Sequence, residues 1–219
     1  MDEINSQEIG KQSSKPSGET GIKVGKMMNT SNDPMYSFAA RYFDLKDNDR
    51  ILEIGFGNGN FFSKYFENNP NIKAYGIDYS ETMCNEAVYS NKEYIDNNQL
   101  ILKCEDSLST SFCNDYFDKI FCFNIIYFWD PIEIQIKEIK RILKEYGKLF
   151  LGFRPRSVME KLAFTKNFSH LFESNEIIEL LENNNFRIIS EKKQELSRKS
   201  LDGSKIDSID IVIIGENHK

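Results

Sequence analysis

Apolar positions change period repeatedly along the chain. Short apolar runs at 51–54, 72–77, 100–104, 119–123 and 148–153 predict strands. Helical spacing fills the gaps at about 59–68, 81–95 and 132–145, where Ile132, Ile136, Ile139 and Leu143 share one face. Upstream, Asp33 reads as a helix cap with Pro34 in the first turn, and Met35, Phe38, Ala39, Tyr42 and Phe43 continue the stripe. The first twenty or so residues, with the run Gln12-Ser13-Ser14-Lys15-Pro16-Ser17-Gly18, have loop composition. After Phe153 the rhythm breaks. Residues 154–172 read as an insertion, Ser174 caps a helix ending near Asn184, and 186–196 and 207–215 read as two strands. The short connection carrying Asp202-Gly203 obliges those two strands to pair antiparallel, since a parallel pair needs a long crossover.

The expected fold is therefore α/β. It is a Rossmann-like, doubly wound sheet of seven strands, mostly parallel with an antiparallel C-terminal hairpin strand and helices on both faces. The expected organisation is a flexible N-terminal arm over 1–30 and one domain over 31–219, with 154–172 as a candidate substrate lid.

Composition narrows the class. The chain has 219 residues, 40 % hydrophobic and 28 % charged, with a net charge of −6. That balance suits a globular domain and argues against nucleic acid as the partner, which is held by clustered Lys and Arg. No apolar run reaches the roughly 20 residues of a membrane span. The N-terminus lacks the pattern of a signal peptide, and Cys84, Cys104, Cys113 and Cys122 form no CxxC pair, which together point to reduced thiols in the cytoplasm. With His170 and His218 the only histidines, no metal site is expected.

The chemistry centres on Glu53-Ile54-Gly55-Phe56-Gly57-Asn58-Gly59, where three alternate glycines follow a strand. Such a turn permits positive φ and lets a ligand lie against bare backbone. A dinucleotide fingerprint would place its third glycine at position 60, which is Asn60. Asp78 ends the next strand, where its carboxylate can accept from two ribose hydroxyls, and Glu105-Asp106-Ser107 follow the third.

Together these motifs resemble the class I S-adenosylmethionine-dependent methyltransferases over roughly 35–215. The resemblance implies S-adenosylmethionine as cofactor and S-adenosylhomocysteine as product. It implies cofactor contacts from Glu53, Gly55, Phe56, Gly57, Gly59, Asp78, Tyr79, Met83, Asp106, Ser107 and Asn124. The segment Phe117–Trp129 resembles the motif facing the methyl group, and Tyr146-Gly147 stands where the family has Pro-Gly. Because the sulfonium is already activated, the site needs mainly to hold the acceptor close and dry. Tyr127 and His170 are the candidate catalytic residues, and Tyr36, Tyr127 and Trp129 the candidate acceptor contacts. The expected activity is methyl transfer to a small molecule. A nicotinamide-dependent oxidoreductase and a non-catalytic S-adenosylmethionine-binding module are the alternatives, and oligomeric state is left open.

Overall fold

Strand register accounts for both apolar periods. The computed structural model describes residues 4–200, 203 and 205–219. Its helices are α1 (Ser6–Ser14), α2 (Gly18–Ala40), α3 (Phe62–Asn68), α4 (Glu81–Ser90), α5 (Lys92–Asp96), α6 (Ile132–Ile142), α7 (Arg156–Met159) and α8 (Ser174–Asn183). Its strands are β1 (Arg50–Ile54), β2 (Lys73–Asp78), β3 (Leu100–Cys104), β4 (Phe117–Phe123), β5 (Leu143–Phe153), β6 (Phe186–Lys199) and β7 (Lys205–Asn217). They form one sheet in the order β3-β2-β1-β4-β5-β7-β6. β1 to β5 are parallel, and β7 lies between β5 and β6, antiparallel to both.

Successive side chains of a strand point to opposite faces, and here both faces are covered. On one, Leu52, Ile54, Ile120 and Leu151 join a core with Ile136 and Ile139 of α6 and Ile177 and Leu181 of α8. On the other, Ile51, Phe121 and Phe150 join Met35 and Phe38 of α2, Tyr65 of α3 and Ala87 of α4. The doubly wound, seven-stranded reading is thus correct.

The N-terminal expectation is not. Instead of loop over the first twenty or so residues and a helix starting at Asp33, two helices occupy 6–14 and 18–40, and Pro34 lies inside the second. Asn5 caps α1 by accepting from the Glu8 N–H at 2.9 Å, and Ile9 is buried on its inner side. Gly10 packs so close that a Cβ there would stand 2.2 Å from the Phe164 carbonyl oxygen. The inner faces of both helices carry small and polar residues, which read as loop composition when taken alone.

Other boundaries shift for local reasons. The expected 59–68 helix starts only at Phe62, because Gly59 has φ 71°. The 81–95 helix divides at Asn91, whose buried amide donates to the Gly59 and Ala87 carbonyls. α6 stops at Ile142, and β5 begins there with Tyr146 at φ 61° and a register shift opposite β4. Glu173, not Ser174, caps α8, in a reciprocal box with Glu176. Asp202 of the expected turn lies outside the described residues. The 154–172 insertion contains α7 and a 3-10 turn at Ala163–Asn167.

Candidate functional site

The carboxyl ends of β1 to β5 open into one cavity of about 340 Å³, the place where an open α/β sheet binds ligands. Its floor begins with the glycine turn. Gly55 donates its N–H to the Ile77 carbonyl at 2.8 Å, and Gly55, Gly57 and Gly59 have φ of 73°, 57° and 71°. Each does something different. A Cβ on Gly55 would press into Ile125 at 2.5 Å, and one on Gly59 would meet Asn91 at 2.6 Å and Ala87 at 2.9 Å. In front of Gly57 nothing lies within 4 Å, so there the backbone faces open space.

Asp78 stands beside that opening, buried, with Oδ2 accepting from the Gly57 N–H at 2.8 Å and Oδ1 from the Ser80 N–H at 2.9 Å. Burial raises its pKa from 3.8 to about 6, against the pull of those amide donors. Tyr79 donates to the Ser14 carbonyl at 2.6 Å, and Ser80 to the Pro16 carbonyl at 2.5 Å. The N-terminal segment is thereby tied down directly over the end of β2. Asp106 and Ser107 also line the cavity, with the Ser107 hydroxyl donating to Gln135 Oε1 at 2.8 Å.

Phe56, Met83, Asn124, Tyr36 and Trp129 belong to the cavity wall as well, whereas Glu53, Gly59 and His170 do not. Glu53 lies one layer beneath, fully buried, and accepts the Tyr36 hydroxyl. Burial lifts its pKa from 4.5 to about 7. His170 is half-exposed and stacks on Phe172 at 5.9 Å.

The two tyrosines expected at the acceptor have spent their hydroxyls. Tyr127 donates to the Arg154 carbonyl at 3.1 Å and accepts the Arg154 N–H at 2.6 Å, which locks the loop after β4 to the end of β5. Burial pushes its pKa up, as burial and the Glu53 carboxylate do for Tyr36. Neither phenol is poised to take a proton. Asn124, at φ 58°, donates Nδ2 to Asn32 Oδ1 at 3.1 Å, and its buried Oδ1 has no partner among the described residues.

Sequence reasoning, which offered 154–172 as a candidate substrate lid, missed the polar residues of the roof and one charge. Ser13, Ser14, Asn29 and Asn32 from the N-terminal helices line the cavity, together with Met159, Phe164 and Phe168 of the insertion. No local signal marks the former, because polar residues on a helix also face solvent. Arg154 could have been found, since it is the first residue past the carboxyl end of β5.

The strand order, with its antiparallel seventh strand inserted beside β5, and the glycine turn resemble those of the class I S-adenosylmethionine-dependent methyltransferases, and the proteins this chain is similar to are methyltransferases. Residues 52–151 match the model of a family described as a methyltransferase domain. The chain is 26 % identical over 146 residues to YdaC of Bacillus subtilis strain 168, described as an uncharacterized methyltransferase; the match covers 66 % of this chain and 78 % of YdaC. Among solved structures, a SAM-dependent methyltransferase of Methanosarcina mazei shares the fold at a TM-score of 0.64 and 23 % identity, over 79 % of this chain and 94 % of that one. A chain of the complex between the Haloferax volcanii Trm112 methyltransferase activator and a methyltransferase matches with a TM-score of 0.75 and 14 % identity, over 99 % of this chain and 100 % of that one. Among the described residues no helix is long and apolar enough to cross a membrane.

Proposed function

We propose that the protein transfers the methyl group of S-adenosylmethionine to a small-molecule acceptor held under the N-terminal helices. The observation that supports this most is the continuity of one cavity from the glycine turn to the end of β5, roofed by α1, α2 and the insertion. A volume of about 340 Å³ is in the range of small-ligand sites, and a polymer would have to displace the roof.

The residues present fit the cofactor. Gly57 leaves a space that any Cβ would fill, and the Asp78 carboxylate stands next to it with lone pairs for ribose hydroxyls. Tyr79, Asp106 and Ser107 would flank the adenine, Met83 would pack against the nucleoside, and Asn124 Oδ1 would accept from the methionine ammonium. When bound, the cofactor supplies an activated methyl on a sulfonium. Asn124, Trp129 and the insertion's aromatics then hold the acceptor against it and exclude water, which for an activated donor is most of the catalysis. Tyr127 contributes by fixing the β4 and β5 ends, not as a base.

Two measurements test the reading. Calorimetric titration is expected to give 1:1 binding of S-adenosylmethionine and S-adenosylhomocysteine, without competition from NADH. Incubation with methyl-labelled cofactor and cell extract is expected to place label in the low-mass fraction. Absence of cofactor binding would sink the activity, label confined to protein or RNA would sink the acceptor class, and binding without turnover would leave a non-catalytic module.

A further inference from the structure

Charge is unevenly spread around the cavity. Asp78 ends β2, Glu105 and Asp106 follow β3, and Asp130 follows the turn after β4. Arg154 is the only cation in the wall among the described residues, and it stands past β5, on the far side of β4 from the glycine turn.

Arg154 is 6 % exposed, and three of its contacts hold it in place. Nε faces Asp210 Oδ1 at 3.4 Å, and Nη2 donates to the Ser31 carbonyl at 2.8 Å and to Asn32 Oδ1 at 3.2 Å. Nη1 makes no hydrogen bond among the described residues. The carboxylate opposite is shared. Arg198, 9 % exposed, pairs with the same Asp210, which is 0 % exposed, and donates its own Nη1 to the Ser31 carbonyl at 2.7 Å. Among the described residues, two guanidinium groups against one carboxylate leave one positive charge in a nearly dry place. Such a surplus is costly unless something neutralises it. Arg198 is outside the cavity wall, so the surplus faces the cavity through Arg154.

We infer that the methyl acceptor carries an oxyanion, a carboxylate or a phosphate, which accepts a hydrogen bond from Arg154 Nη1; the assignment rests on the methyl-transfer reading above. With Nε and Nη2 already engaged, the arginine presents two hydrogens on one nitrogen and not its two-nitrogen fork. It therefore grips one oxygen of the anion. The neighbouring wall of Met159, Phe164 and Phe168 suits an apolar body attached to that anionic end.

The probes are benzoate and phenyl phosphate, with benzamide as the neutral counterpart, titrated calorimetrically into the full chain saturated with S-adenosylhomocysteine. At least one anion is expected to bind about tenfold more tightly than benzamide, the scale of one charge-assisted hydrogen bond. The tighter of the two distinguishes carboxylate from phosphate. In Arg154→Gln the preference is expected to vanish, in Arg154→Lys part of it to return, and S-adenosylhomocysteine affinity to stay within about twofold in both. Equal binding of anions and benzamide by the unmodified protein overturns the inference, as does a preference that survives in Arg154→Gln. A loss of S-adenosylhomocysteine affinity in Arg154→Gln with the anion preference intact would assign the arginine to the cofactor's own carboxylate and also overturn it. Should Arg154→Gln fail to fold, the comparison in the unmodified protein still decides. Failure of the unmodified protein to bind S-adenosylhomocysteine would instead refute methyl transfer, while the anion comparison remains readable without it.

Discussion

Three glycines in one turn are separable at the residue scale. Gly57→Ala places a methyl where nothing lies within 4 Å, so it costs only the strain of positive φ, about 1–2 kcal/mol, while filling the space proposed for the cofactor. S-adenosylhomocysteine affinity is expected to fall by roughly tenfold or more with a small drop in melting temperature. Gly59→Ala is expected to do the reverse, since its methyl collides with Ala87 and Asn91 of the α4 region and loosens the fold first. Calorimetry and thermal melts on both variants check the pair. Glu53 gives a pH signature. Its pKa is raised from 4.5 to about 7 by burial, so the folded protein binds the proton more tightly than the unfolded chain. Stability from this group is full below pH 4.5 and is lost as pH rises to about 7. Glu53→Gln, which keeps an acceptor for the Tyr36 hydroxyl, is expected to be more stable than the parent at pH 8, by about 3 kcal/mol at most. The advantage should shrink toward pH 5. A constant difference across urea melts at the two pH values would refute the buried-carboxylate argument.

Among the elements, what was legible followed from how self-contained each signal is. β1, β4 and β5 are apolar runs covered on both faces, so their own residues specify them. α1 and the first half of α2 are specified by what they cover. Their inner residues Ser13, Ser14, Asn29 and Asn32 face a cavity, which dilutes the helical apolar stripe, and Pro34 then mimics a helix start. The end of the cavity at the glycine turn was legible for the same reason as the strands, because the glycines, Asp78 and Asp106 sit at fixed places at or just after strand ends. The Arg154–Asp210–Arg198 cluster was not, since it joins β5 to β6 and β7 through a hairpin register that local pattern does not give. Helix α1 offers a clean test of the roof. Gly10→Val would drive a side chain into the Phe164 backbone, 2.2 Å from the new Cβ, and part α1 from the insertion. Hydrogen exchange over 6–14 and 163–167 is expected to accelerate, with β1 to β5 unaffected. Unchanged exchange in both segments would mean that the contact does not hold the roof.

For the whole molecule, the question is whether the roof serves catalysis or merely covers the sheet. Its ties suggest the former. The Ser14 and Pro16 carbonyls accept from Tyr79 and Ser80, and Gly18 donates to Thr82 Oγ1 at 3.2 Å, so the link between α1 and α2 is fastened at three points beside Asp78. The rest of α2 is anchored independently, by Met35, Phe38 and Ala39 in the core. Removing residues 1–16 should therefore leave the sheet and α2 folded while uncovering the end of the cavity where the nucleoside would lie. Water would then reach the site, and the bound cofactor would lose one wall. S-adenosylhomocysteine is expected to dissociate about tenfold faster from the truncated protein, and transfer to whatever acceptor carries the label to fall further than affinity does. Stopped-flow dissociation and single-turnover transfer, measured on the same preparation, separate the two effects. A truncated protein that keeps the parent dissociation rate and full transfer would make α1 a cover for the sheet and nothing more.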